Sequence, residues 1–301
     1  MNQNRTNNKK AYIFAGLTVF LWSTVATAFK IALKFQSPFE LLFYAVLVSM
    51  VILSCILLVT GKHRQLFSFS RVEIFSSAML GFLNPFLYYL VLFEAYSRLP
   101  AQVAQPLNMV WPIVLVFLST PILGQKISLQ SIVALLISFA GVYFISSQGM
   151  PFTLNIKEPI GVGLALFSSI IWSLFWLFNV KDKRTAEIKL FWNFAFSLLY
   201  LLIFLMVTDA DLHFSWKAFL PAAYVGAFEM GFSFILWLNA LRFASKTDMI
   251  SQMIYLSPFI SLVFIYLILG ETIYYTTIAG IFLIILGIFF QKIRLSKKTM
   301  R

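Results

Sequence analysis

Apolar stretches of about 20 residues alternate along the chain with short polar segments, and no period-two alternation of the kind that marks half-buried strands competes with them. A helix of about 20 apolar residues crosses about 30 Å of hydrocarbon. On that measure the pattern predicts ten spanning helices, at 11–32, 38–60, 72–97, 100–122, 128–147, 159–180, 187–208, 217–241, 247–269 and 273–293. The expected fold class is therefore an all-α integral membrane protein.

The pattern also repeats. WPIVLVFLSTPILGQKIS (111–128) is matched by SPFISLVFIYLILGETIY (257–274), which places Pro258 and Gly270 146 positions after Pro112 and Gly124. GFLNPFLYYLVLFEA (81–95) aligns with GAFEMGFSFILWLNA (226–240) at an offset of 145, and Trp22-Ser23 with Trp172-Ser173 at 150. Two five-helix halves, 11–147 and 159–293, accommodate all of these offsets. Five is odd, so the second half is expected to insert upside down, an arrangement common in alternating-access carriers that bind substrate near the midplane. Cutting the chain at the signal-peptide-like Ala26-Thr27-Ala28 would delete a repeat element, so the first segment reads as a spanning helix.

Composition supports the membrane assignment: 60% of residues are hydrophobic and only 11% charged, against about 25% charged in soluble domains. The net charge of +12 is spread over the short segments between apolar runs, which points to lipid headgroups rather than nucleic acid. With the N-terminus placed inside, the cytoplasmic segments hold 18 of the 23 Lys and Arg, and the outer ones hold Lys30, Lys34, Arg98, Lys157 and Lys217. That asymmetry predicts cytoplasmic N- and C-termini. A lone Cys55 rules out an intrachain disulfide.

Enzyme chemistry finds little footing. The two histidines, His63 and His213, fall in loops on opposite predicted sides, and neither metal-ligand spacing nor a phosphate-binding Gly-Lys-Ser/Thr loop is present. No cofactor, metal or ATP-binding motif is expected. A channel or facilitator is the alternative to a carrier, and a membrane-embedded enzyme a more distant one.

With LWS at 21–23, LGE at 269–271 after Pro258, the spacing of Gly280 and Gly287, and the five-plus-five order, the sequence resembles the EamA type of the drug/metabolite transporter superfamily over about 11–292. LWST (21–24), NMVWP (108–112) and GQK (124–126) are most similar to the aromatic amino-acid exporter branch. The resemblance implies a ten-helix inner-membrane carrier that exports small metabolites, with amino acids or similar amphipathic solutes as the expected class.

Polar groups in spanning helices cost about 2.5–3.5 kcal/mol each when ionisable, so they call for a reason. Glu229 sits mid-helix, and its repeat partner is Asn84. Glu229 is the candidate to bind the amino end of a substrate or to carry a proton for antiport; the other reading is a neutral acid tying helices together. Asn84 and Tyr88, and likewise Glu229 and Ser233, are four apart and should share a face. Ser169, Trp172, Trp176 and Asn179 follow helical spacing, and Trp22, Asn108, Trp111, Gln252 and Tyr255 complete the candidate lining. Pro85, Pro112 and Pro258, near the middles of the third, fourth and ninth helices, are candidate hinges or elements of static packing. Lys30, Glu40, Glu94 and Arg98 read as structural or interfacial. The expected partners are a small solute, with protons as candidate coupling ion, and the lipid bilayer. Gly161-x-Gly163 suits packing within one copy or between copies, which leaves the oligomeric state open.

Overall fold

The structure is a computed structural model that describes residues 7–68, 70–123, 129–151, 157–179, 182, 184–208, 210–244, 250 and 253–293. Among the described residues every regular element is helical. Among the described residues, six spans are long and apolar enough to cross a membrane: Asn8–Ala32, Pro38–Val59, Arg71–Arg98, Pro159–Asn179, Ala186–Val207 and Trp216–Phe243. Shorter apolar helices lie at Ile132–Ser146, Met253–Leu269 and Tyr275–Phe290.

We number the helices α1 (Asn8–Ala32), α2 (Pro38–Val59), α3 (Arg71–Gly81), α4 (Tyr88–Arg98), α5 (Ala101–Asn108), α6 (Trp111–Leu123), α7 (Leu129–Ser146), α8 (Pro159–Asn179), α9 (Ala186–Val207), α10 (Trp216–Tyr224), α11 (Phe232–Phe243), α12 (Ser257–Phe264) and α13 (Tyr275–Ile293). Local chemistry sets several starts. α2 opens with Pro38 at its first position and a reciprocal cap, in which Glu40 N–H donates to Ser37 Oγ (3.2 Å) and Ser37 N–H to Glu40 Oε2 (2.8 Å). The other carboxylate oxygen of Glu40 accepts from His213 N–H at 2.9 Å, so this residue ties two loops together. Glu94 and Arg98 form the i,i+4 pair at 2.6 Å.

Four segments predicted as continuous helices are interrupted. Between α3 and α4, Phe82–Leu87 forms a wide π-type turn in which Asn84 leaves the helical region (φ −150°, ψ 122°) just before Pro85. Between α10 and α11, Val225–Gly231 forms a second wide turn. The two turns overlap at the repeat offset of 145. The segment at 100–122 divides at Met109–Val110 into α5 and α6, and Met253–Leu256 is a short 3₁₀ turn leading into α12. Pro112 and Pro258 therefore each occupy the second residue of a new helix, where a missing N–H costs no hydrogen bond.

Packing follows the same exchange. α1 lies on α11, and α8 on α4; α2 packs on the 225–231 turn, and α9 on the 82–87 turn; α12 meets α1, and α6 meets α8. A Cβ on Gly226 would overlap the Ala45 carbonyl oxygen, and one on Gly81 would overlap the Asn193 carbonyl oxygen. α7 and α13 form a separate, extensive pair.

Outside the spans, Arg184 donates to both Asp182 oxygens and to Ser77 Oγ (2.6 Å), fastening Asp182 and Arg184 to α3. Burial pushes the Asp182 carboxyl up, but the Arg184 bonds outweigh it and hold it below its ordinary value. A carboxylate depressed in the folded state stabilises at pH above its unfolded value and loses that contribution as pH falls through the folded one. Thermal midpoints should therefore show a small decline on acidification below about pH 4, and Asp182→Asn should flatten that part of the profile.

Candidate functional site

A cavity of about 360 Å³ lies among α1, α4, α5, α6, α8, α11 and the 225–231 and 253–256 turns. Trp22, Val25 and Phe29 reach it from α1, Tyr88, Leu92 and Tyr96 from α4, and Gln105 and Asn108 from α5. Trp111, Trp172, Trp176, Trp237 and Tyr255 complete a largely aromatic wall. Ring contacts fix this wall: Tyr88 and Trp172 centroids are 4.7 Å apart, Trp22 and Trp237 5.6 Å, and Trp172 and Trp176 5.8 Å. Among the described residues lining it, Glu229 is the one acid, and there is no Lys, Arg or His.

The wide turn explains how Glu229 is held. A π-type turn loosens the i→i+4 ladder and releases carbonyls, and such turns are frequent at functional sites. Here the carbonyls find side-chain donors: Ser49 Oγ donates to Gly226 O (2.8 Å), Ser233 Oγ to Phe228 O, and Trp22 Nε1 to Glu229 O (3.4 Å). Tyr89 O–H donates to Glu229 Oε1 at 2.9 Å. Glu229 is only 7% exposed, and its Oε2 is buried without a hydrogen-bond partner.

The sequence candidates separate into two groups. Trp22, Tyr88, Asn108, Trp111, Trp172, Trp176, Glu229 and Tyr255 all reach the cavity. Asn108 is fixed from both ends, accepting from Tyr88 O–H (3.2 Å) and donating to Ser168 Oγ (2.8 Å). Four candidates do not line it. Asn84 is 1% exposed and packed in the 82–87 turn, where neither side-chain polar atom has a partner. Ser233 bonds the Phe228 carbonyl that the wide turn releases. Asn179 ends α8, with its carbonyl accepting from Lys189 Nζ at 3.3 Å. Ser169 also turns back, donating to Leu166 O. Gln252 and the GQK triplet lie outside the described residues.

Tyr89, Tyr96, Gln105 and Trp237 are not among the sequence candidates. The repeat carries a usable signal for one of them: Trp237 is Leu92 plus 145, and both line the cavity. The same logic pairs Met109 with Tyr255 at 146 and Trp22 with Trp172 at 150, all of them lining residues.

A polar network lies at the end of the cavity beside Phe29 and Tyr96. Lys30 Nζ donates to Tyr96 O (2.8 Å) and Leu99 O (3.0 Å), capping the last carbonyls of α4. Glu271 accepts from Ala101 N–H (2.9 Å) and Gln102 N–H (3.3 Å), capping the first donors of α5. The Gln102 side chain bonds Thr272 O (2.8 Å) and accepts from Tyr274 N–H (2.9 Å). The α4–α5 corner is thus bound to α1 and to the segment before α13.

Comparison with known proteins agrees with this architecture. The profile of the EamA-like transporter family matches residues 9–147 and again 159–291. An "uncharacterized transporter" of Clostridium kluyveri is 27% identical over 293 residues, covering 93% of this chain and 92% of that protein. One from Archaeoglobus fulgidus is 29% identical over 214 residues, covering 70% and 72%. The "uncharacterized transporter YvbV" of Bacillus subtilis is 24% identical, covering 68% of each chain. A crystal structure aligns over 97% of this chain and 99% of its own with a TM-score of 0.66 at 16% identity, a likeness of fold alone.

Proposed function

Because the chain belongs to the EamA-like transporter family of multi-pass membrane proteins, we propose that it is a secondary carrier working by alternating access. Its ten spanning segments form two inverted five-segment repeats, 11–147 and 159–293. It exports small amphipathic metabolites across the cytoplasmic membrane with both termini inside. Amino acids, by resemblance to the aromatic exporter branch, and related amines are the expected solutes. The observation that carries this reading is the aromatic cavity between the two stretches the family profile matches, fastened at one end by the Lys30 and Glu271 network. A solute with an apolar body and few polar atoms suits such a wall.

The interruptions supply the moving parts. Helix halves that meet at Met109–Val110 can tilt without breaking a continuous ladder, and the 3₁₀ turn Met253–Leu256 gives the start of α12 the same freedom, which makes Pro112 and Pro258 the hinge residues of this scheme, with Pro85 at the 82–87 turn. Glu229, in the opposite wide turn, is the candidate proton carrier.

The test is uptake of labelled Trp, Phe, Tyr, Thr and the corresponding amines into proteoliposomes, with wild type and Glu229→Gln side by side, with and without a pH gradient. Saturable uptake with counterflow is expected. Glu229→Gln should lower the gradient-driven rate at least tenfold. Conductance without saturation would instead establish a channel, and undiminished gradient-driven uptake in Glu229→Gln would remove the carboxyl from coupling.

A further inference from the structure

We infer that the cavity selects monovalent organic cations with an aromatic or apolar body, such as protonated aryl amines and quaternary ammonium ions, over zwitterionic amino acids. This inference rests on the carrier reading, taking the cavity as its binding site, and narrows the solute by charge.

The charge inventory of the wall comes first. Among the described residues on it, Glu229 is the single acidic side chain and no basic one is present. At the end beside Phe29 and Tyr96, Lys30 is committed to two carbonyls at 2.8 and 3.0 Å. An amino acid brings a carboxylate as well as an ammonium, and that carboxylate would enter a low-dielectric space with no counter-charge. Burying an unpaired ion is costly. An amine without the carboxylate avoids that cost.

The second observation is the state of Glu229 itself. Tyr89 satisfies Oε1, whereas Oε2 is buried with no partner. An ionised carboxylate so placed is compensated only when a cation is close by, so a cationic solute and the charged form of Glu229 stabilise one another.

The aromatic wall is the third. Trp, Tyr and Phe faces attract ammonium groups through their quadrupoles, Trp most strongly. Tyr88, Trp172, Trp22 and Trp237 border the same space as Glu229, with ring pairs 4.7 Å and 5.6 Å apart. Of the two amide side chains on the described wall, Asn108 already engages Tyr88 and Ser168 through its two polar atoms, and Gln105 is neutral and supplies no counter-charge for a solute carboxylate.

The experiment is titration calorimetry on the purified full-length protein with three probes sharing one ring: tryptamine, tryptophan and indole-3-propionate. The expected order is tryptamine at least tenfold tighter than tryptophan, with indole-3-propionate weakest. Glu229→Gln should bring tryptamine and tryptophan to within about threefold of each other. Tyr89→Phe, which keeps the carboxyl, should retain the preference and so guards against a folding artefact in the glutamine variant. Equal or tighter binding of tryptophan, binding of neither compound, or a preference that survives in Glu229→Gln would each overturn the inference. The same three probes in proteoliposomes separate the two readings. Tryptamine that binds in the expected order but is never carried would leave the cation selectivity standing and sink the carrier. Saturable tryptophan transport without tryptamine transport would do the reverse.

Discussion

Gly280→Leu will strongly destabilise the protein, lowering its thermal midpoint in detergent far more than Gly163→Ala does. α7 and α13 approach so closely that their backbones touch at glycines. A Cβ on Gly280 would lie 2.5 Å from the Gly141 carbonyl oxygen and 2.5 Å from Ile145 Cγ1; one on Gly141 would lie 2.6 Å from Gly280 O. Two turns along, a Cβ on Gly287 would lie 2.7 Å from Ala134 O. The obstacle is backbone, which cannot rotate away, so the helices must separate and lose packing along their length. In lipid, where no hydrophobic force holds helices together, such close contact is a main source of association. Overpacking of this kind costs about 1–3 kcal/mol or more. Gly141→Leu should cost a similar amount, and the double variant less than the sum, because the helices separate only once. Gly163→Ala is the control: nothing lies within 4 Å of a Cβ there, so its effect should stay within about 1 kcal/mol and tend toward stabilisation. Comparable losses for Gly163→Ala and Gly280→Leu would show that helix crossing is not what these glycines serve.

The Gly280 and Gly287 spacing is visible in the sequence as part of a family resemblance, and only the crossing with α7 shows its physical content. The spans themselves are legible because 20-residue apolar runs leave few alternatives, and the helix ends at Asn8–Ala32, Pro38–Val59 and Ala186–Val207 fall within a few residues of expectation. The interruptions are less so. Hydropathy at 72–97 and 217–241 is continuous, and it carries no signal for where a ladder widens. Pro112 and Pro258 do carry one, but a proline near mid-segment fits a kink as well as a fresh helix start.

The same gap explains the site. Pairing Asn84 with Tyr88, and Glu229 with Ser233, by i,i+4 spacing assumes a regular helix through both positions. The wide turns at Phe82–Leu87 and Val225–Gly231 shift the phase in between. Tyr89 rather than Asn84 therefore reaches Glu229, and Ser233 bonds a carbonyl the turn has released. Trp22, Trp111, Trp172 and Trp176 are legible because they lie on regular stretches of α1, α6 and α8, where spacing does report a face. The polar network is invisible in the sequence for another reason: Glu271 caps α5 from 170 residues away, and no local pattern encodes a contact of that range.

That network leads to the second large effect. In a carrier the end fastened by Lys30, Glu271 and Gln102 must open for solute to leave, so weakening the network should shift the protein toward a state open at that end. Hydrogen bonds to charged groups contribute about 1.5–3 kcal/mol each, and Glu271 makes two of them to α5 N–H groups. Losing about 1.4 kcal/mol of that preference already changes the closed-to-open ratio tenfold. The readout is a single thiol at Leu92, a lining position, in a Cys55→Ser background, labelled with a membrane-impermeant reagent applied from each side in turn. Labelling from the network's side should be slow in the parent. It should rise at least tenfold in Glu271→Ala and by a smaller factor in Gln102→Ala, which keeps the carboxylate cap. Labelling from the opposite side should fall as the population moves. Unchanged labelling from both sides in Glu271→Ala would mean that these bonds fasten a permanent wall. The moving elements would then have to be sought at the Met253–Leu256 end, where α12 begins.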